Sequence, residues 1–234
     1  RLRGANTFRR MIALTERTAV HADRLLNTFL SLLAIDSQSG QEEAIIHHLE
    51  ARLTRLGLET RIDAAGNLIG RLAGAGEPLL LCAHVDHVPP CLGIRPVVEG
   101  DLIHTDGQTI LGGDDTSGVA IILEILHLLQ AQREQTGEQS PALEIVFTVQ
   151  EETGLVGSKG LDYPALAARQ GIVLDMGGPR SAIIVRGPSQ HTIRAHVHGR
   201  KAHAACAPEE GVNAIRVASE AIAAMPLGRV DAET

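Results

Sequence analysis

A chain of 234 residues with a formal net charge of −7, no tryptophan and a single tyrosine, Tyr163, lacks the basic surface that attracts phosphate backbones and the aromatic platforms on which bases stack. Nucleic acid is therefore not an expected partner. No apolar run approaches the roughly 18 residues that a membrane span requires, and the cysteines Cys82, Cys91 and Cys206 show no CxxC spacing, so the expectation is a soluble, cytoplasmic protein with no membrane partner.

Arg1, Arg3, Arg9 and Arg10 precede no continuous apolar stretch, so no secretory leader is read, and Met11 is a candidate start. Leu25, Leu26, Phe29, Leu30 and Leu33 predict a helix within 16–34. Ser39 and Glu42 form the pattern of a capping box for a second helix, which carries Ile45, Ile46, Leu49, Leu53 and Leu56 and stops at Gly57. Short strands are predicted at 58–63 and 67–72 around the turn Ala65-Gly66-Asn67. Apolar runs at 79–83, 143–149 and 171–174 read as buried parallel strands, separated by helices at about 116–132 and 162–169. This alternation predicts an α/β fold with a mostly parallel open sheet flanked by helices. After Pro179 the texture changes. Residues 181–185 and 192–197 alternate as exposed antiparallel strands do, and Pro208, Glu209 and Glu210 open a helix reaching about Met225. The boundary is placed near 185, with a metal-binding domain over 1–185 and an incomplete α+β domain over 186–234.

Four polar clusters follow predicted strands or open the long helix: His84-Val85-Asp86, Gly112-Gly113-Asp114-Asp115, Gln150-Glu151-Glu152 and Asp175-Met176-Gly177-Gly178. Sites in open α/β sheets form beyond the carboxyl ends of the strands, so these clusters should meet. So many carboxylates in one place repel one another unless cations neutralise them. Imidazole with carboxylates suits zinc or a related divalent ion, and a carboxylate can bridge two ions in a hydrolytic centre. Of the adjacent Glu151 and Glu152, one can hold metal while the other acts as general base. Asp86 can fix the ring of His84.

Each signal alone has a commonplace reading. A histidine after a strand is usually structural, paired glutamates are usually solvated, and an aspartate before a helix is usually an N-cap. Their shared position after successive strands reverses those odds. His47, His48, His104, His127, His191, His196 and His198 lack such a setting.

Taken together, Ala83-His84-Val85-Asp86, Leu111-Gly112-Gly113-Asp114-Asp115, Gln150-Glu151-Glu152-Thr153-Gly154, Leu174-Asp175 and Gly199–Ala205 resemble the zinc-dependent exopeptidase family that contains peptidase T, aminoacylase and glutamate carboxypeptidase. The stretch Pro208–Ile215 looks most like the peptidase T branch. The resemblance implies two zinc ions per subunit, with cobalt or manganese as alternatives. It implies His84 and Asp175 as ligands of one ion, Asp114 as the bridge, Glu152 as ligand of the second, Glu151 as general base and Asp86 as the residue that orients His84. It further implies a cis peptide at Asp114–Asp115. His203 matches a lid-domain histidine that reaches the active site of a partner subunit, which makes 186–234 the start of a lid and dimerisation domain. The implied activity is hydrolysis of short peptides, tripeptides first, by a homodimer when full length. The family's further histidine ligand, downstream of the lid, has no counterpart here, and the expectation is a chain truncated within the lid. An N-acyl-amino-acid amidohydrolase or carboxypeptidase of the same family, or an inactive truncated fragment, is the alternative.

Overall fold

A computed structural model describes residues 19–178, 182–185, 187 and 192–226. Met11, the first residues of the helix expected from 16, Ser181 and His191 lie outside the described residues. The chain divides into two compact units, Arg1–Gly177 and Gly178–Thr234, earlier than the boundary near 185 read from the sequence.

In the first unit, α1 (Ala22–Leu33) and α2 (Glu43–Arg55) precede β1 (Glu59–Ile62), β2 (Leu68–Leu72) and β3 (Ala75–His84). A hairpin of β4 (Pro96–Glu99) and β5 (Leu102–Thr105) leads to the long α3 (Gly113–Thr136). Then come β6 (Pro141–Thr148), α4 (Val156–Gly160), a single 3-10 turn at Tyr163–Ala165 and β7 (Gln170–Val173). The main sheet has the order β1-β2-β6-β3-β7. β3 pairs in parallel with both β6 and β7, while β2 runs antiparallel to β1 and β6. The α/β fold is as expected, and β2 is the one strand pointing the other way.

Side chains on a strand alternate between faces, and β6 uses both. Leu143, Ile145 and Phe147 join the main core with Leu81 and Ala83 of β3, Leu49 and Leu53 of α2, and Ile122, Leu123 and Leu126 of α3. On the opposite face Val146 packs with Ile69, Leu161 and Leu166. A strand covered on both faces, as β6 is, requires a near-continuous apolar run, whereas β7 lies at the sheet edge and is exposed along its length, which corrects the burial expected of 171–174.

Four local expectations are corrected. Ser39 and Glu42 do not form a capping box: Glu42 is itself the N-cap residue, without a side-chain cap hydrogen bond, and both side chains turn toward other segments. The helix expected at 162–169 is only the 3-10 turn, because its backbone groups are taken by side chains of the sheet. Arg71 donates to the Ala165 carbonyl, and the Glu144 carboxylate accepts from Ala168 N–H at 2.6 Å. In the second unit, described separately, 182–185 and 192–199 form no strand ladder among the described residues. Extended segments need a hydrogen-bonded neighbour, and the pairing there is a single antiparallel bridge, Arg200 with Val212. That bridge also splits the helix expected from Pro208 into a 3-10 turn (Pro208–Glu210) and α5 (Ala214–Ala223), which is capped by the Asn213 side chain.

Glu144 is buried at 1 % exposure in the middle of β6 and pairs with Arg71 at 2.9 Å. Burial opposes its ionisation, but the N–H groups of Ala168 and Ala167 and the Arg71 guanidinium outweigh it and hold the carboxyl below the usual glutamate range. Such a group stabilises the fold fully above the ordinary glutamate pKa and loses that contribution as pH falls through its lowered folded value. Glu144→Ala is expected to lower the unfolding free energy by about 1–3 kcal/mol at neutral pH. The deficit should shrink below the glutamate range, as checked by urea unfolding across pH.

Candidate metal centre

The first unit collects its polar clusters at the carboxyl ends of β3, β6 and β7 and at the start of α3. His84 is the last residue of β3, Glu151 and Glu152 follow β6, and Asp175 follows β7. Asp114 and Asp115 open α3 with non-helical backbone angles, so the regular helix starts at Thr116. The Asp114–Asp115 peptide is cis.

These residues converge. Donor atoms of His84, Asp114 and Glu152 lie within 4.8 Å of one another, as do those of His84, Glu151 and Asp175. His84 is common to both groups. Its Nε2 lies 3.1 Å from Asp114 Oδ1, and its Nδ1 lies 3.0 Å from the Asp86 carbonyl oxygen and 3.4 Å from Asp86 Oδ1. The ring is thus held on one nitrogen and open to the acidic cluster on the other.

Asp86 is fully buried and uses both carboxylate oxygens. Oδ1 accepts from Glu151 N–H at 2.8 Å, while Oδ2 accepts from Glu152 N–H at 3.2 Å and Ser39 Oγ at 2.6 Å. Burial pushes its pKa up, but hydrogen bonds from His84, Ser39 and the two amides outweigh it and bring the carboxyl down to about 2. Burial likewise opposes protonation of His84, and hydrogen bonds to Asp86 and Asp114 with the charges of Asp115 and Asp86 reverse the balance, raising it to about 10. Burial raises Glu151, Glu152 and Asp175 against the opposing charge of His84, aided by Asp175, Glu152 and Asp86 at Glu151, by Asp114, Asp86 and Asp175 at Glu152, and by Asp114 at Asp175. Burial raises Asp115 to about 7, against His84 and with Asp175. An electrostatic surplus of this kind fits a divalent cation, and imidazole with carboxylates is a zinc-type donor set.

Sequence reasoning did not single out His87, which is buried at 2 % exposure behind the site. Its Nδ1 meets Ser37 Oγ at 3.0 Å, and its Nε2 meets Thr116 Oγ1 at 2.9 Å and the Gly112 carbonyl at 3.2 Å. Burial lowers its pKa, as expected for a neutral ring shared among hydroxyl and carbonyl groups. Gly112 has φ +73°, and a Cβ there would come within 2.8 Å of His87 Nε2, so the residue before Gly113-Asp114 must be glycine. His203 belongs to the second unit, where its Nδ1 accepts from Ala205 and Cys206 N–H, both at 3.2 Å.

A family model described as peptidase family M28 matches residues 67–217. The chain is 40% identical over 225 residues to the protein YqjE of Bacillus subtilis, covering 92% of this chain and 60% of that protein. Among solved structures, aminopeptidase PepT from Bacillus cereus superposes with a TM-score of 0.77 at 34% identity, covering 91% of this chain and 59% of PepT. A tripeptidase from Staphylococcus aureus gives 0.72 at 33% identity, covering 92% and 59%. The chain therefore spans about 60% of the length of the relatives it matches.

Packing behind the acids is tight. A Cβ on Gly118 would lie 2.4 Å from Asp115 Oδ1 and 2.8 Å from the Leu174 carbonyl oxygen, beside Asp175. Gly118→Ala is expected to cost about 1–3 kcal/mol of stability and to displace Asp115, with a lower thermal unfolding temperature as the measurement that checks it.

Proposed function

The chain belongs to peptidase family M28, and from that premise we propose that it hydrolyses peptide bonds in short peptides, tripeptides first, through a metal-activated water. The observation that carries this reading is the meeting of one imidazole, His84, with the carboxylates of Asp114, Glu151, Glu152 and Asp175 at one end of the sheet. The names of its relatives, aminopeptidase PepT and a tripeptidase, support the substrate class.

In this reading His84 and Asp175 would hold one zinc ion and Glu152 a second, with Asp114 as the ligand they share. Bound zinc supplies an electrophile for the scissile carbonyl and lowers the pKa of water. Asp86 fixes the His84 ring by engaging Nδ1, so that Nε2 presents its lone pair to the cluster. Glu151 takes the proton of the attacking water and delivers it to the amine nitrogen as the C–N bond breaks. Its raised pKa suits a group that must both accept and release a proton. The region from 186 is assigned to a lid and dimerisation domain in which His203 serves the active site of a second copy in a homodimer. The compartment is assigned as cytoplasmic.

Zinc per folded chain is the first measurement. Retention of one or two ions, lost in Asp114→Ala, is expected; a folded chain that retains none removes the metal reading for residues 1–234. Glu151→Ala should keep its zinc and lose about 10²–10⁴-fold in kcat, and an active variant would refute the base assignment. A panel of tripeptides, dipeptides and N-acetyl amino acids separates a peptidase from an amidohydrolase, since only the former prefers a free amino terminus.

A further inference from the structure

Beyond β6 the chain leaves the sheet, yet four successive amides each find an acceptor on a side chain from elsewhere. Val149 N–H donates to Asn67 Oδ1 at 3.2 Å and Gln150 N–H to Glu42 Oε1 at 3.0 Å, while Glu151 and Glu152 N–H donate to the two oxygens of Asp86. All three acceptor residues are buried: Asn67 and Asp86 at 0 % exposure, Glu42 at 5 %. Gln150 sits at φ +50°, a left-handed conformation uncommon for a residue with a side chain. It is the turn that sends Glu151 and Glu152 toward His84. Glu42 Oε1 also accepts from Gly40 N–H at 2.8 Å, which ties the carboxylate to its own segment as it reaches across to the loop.

We propose that Glu42 is a positioning residue for Glu151 and Glu152: its carboxylate holds the Gln150 amide, fixes the left-handed turn and so sets where the two glutamates stand. Asp86 acts directly on both glutamate amides and on His84. Glu42 makes no hydrogen bond to His84 or to the acidic cluster; it acts on the loop through the Gln150 amide, and its second bond, from Gly40 N–H, stays within its own segment. The consequence for metal affinity rests on the reading of Glu152 as a ligand; the clamp itself does not.

The test compares wild type, Glu42→Ala and Glu42→Gln in the full chain. Gln keeps an oxygen that can accept from Gly40 and Gln150, whereas Ala removes it. Amide hydrogen exchange of the metal-free protein should be about 10–100-fold faster at Gln150–Glu152 in Glu42→Ala, confined to that loop and to Gly40, and restored in Glu42→Gln. Zinc titration by calorimetry should show affinity about 10–100-fold weaker in Glu42→Ala, again restored by Gln. A folded Glu42→Ala with unchanged exchange at these amides overturns the proposal, as does Glu42→Gln behaving like Glu42→Ala. If wild type binds no zinc, the metal reading fails and the exchange pattern alone decides the clamp. Should Glu42→Ala not fold, Glu42→Met, which keeps volume and lacks the carboxylate oxygen, is compared with Glu42→Gln by the same two measurements.

Discussion

The buried carboxylate of Asp86 is the interaction on which the rest of the site depends. One side chain engages the His84 ring, the Ser39 hydroxyl and the amides of two consecutive glutamates. A carboxylate with no contact with water is tolerated only where hydrogen bonds replace its hydration, and Asp86 receives them from three separate segments. The segment 36–39 runs beside 85–88, with Ser39 N–H donating to the His87 carbonyl and His87 N–H to the Ser37 carbonyl, which keeps the Ser39 hydroxyl in reach. The end of β3, the loop after β6 and the approach to α2 are thereby joined at a single point.

Around this point the charges are arranged in opposition. Asp86 is held ionised by its donors, while Glu151, Glu152, Asp175 and Asp115 are pushed toward protonation by burial and mutual repulsion. Among the described residues His84 supplies the positive character against them. The packing that creates this surplus is the ordinary packing of the fold: parallel strands end together, and α3 begins where they end. The sheet order places the ends of β6, β3 and β7 side by side, so residues from far apart in the chain need no long loops to meet.

Much of this was legible in the sequence. His84, Glu151, Glu152 and Asp175 stand just after apolar runs that announce strands, and Asp114 stands at the head of the long helix, so their positions are readable from the chain. Apart from Asp86, the buried acceptors were not legible. Glu42 stands three residues after Ser39 in the spacing of a capping box, and Glu144 interrupts an otherwise apolar strand; both satisfy backbone donors more than twenty residues away. Asn67 was silent for the same reason, because a side chain that captures a distant amide leaves no local pattern, and His87, whose ring meets the Ser37 and Thr116 hydroxyls and the Gly112 carbonyl, leaves none either. The alternating residues after Pro179 misled in the other direction. Alternation states which faces a strand would present, but a strand also needs a neighbour, and the described residues there offer only the bridge between Arg200 and Val212.

The run of captured amides from Val149 to Glu152 has a consequence for transplantation. The tripeptide Gln150-Glu151-Glu152 carries two of the clustered carboxylates but not the instructions for its own shape, which are written at positions 42, 67 and 86. Grafted alone onto another sheet, the segment would bring carboxylates without their bearings. The smallest portable unit is four pieces of chain drawn from more than a hundred residues, which makes this a motif that descends with its whole fold or not at all.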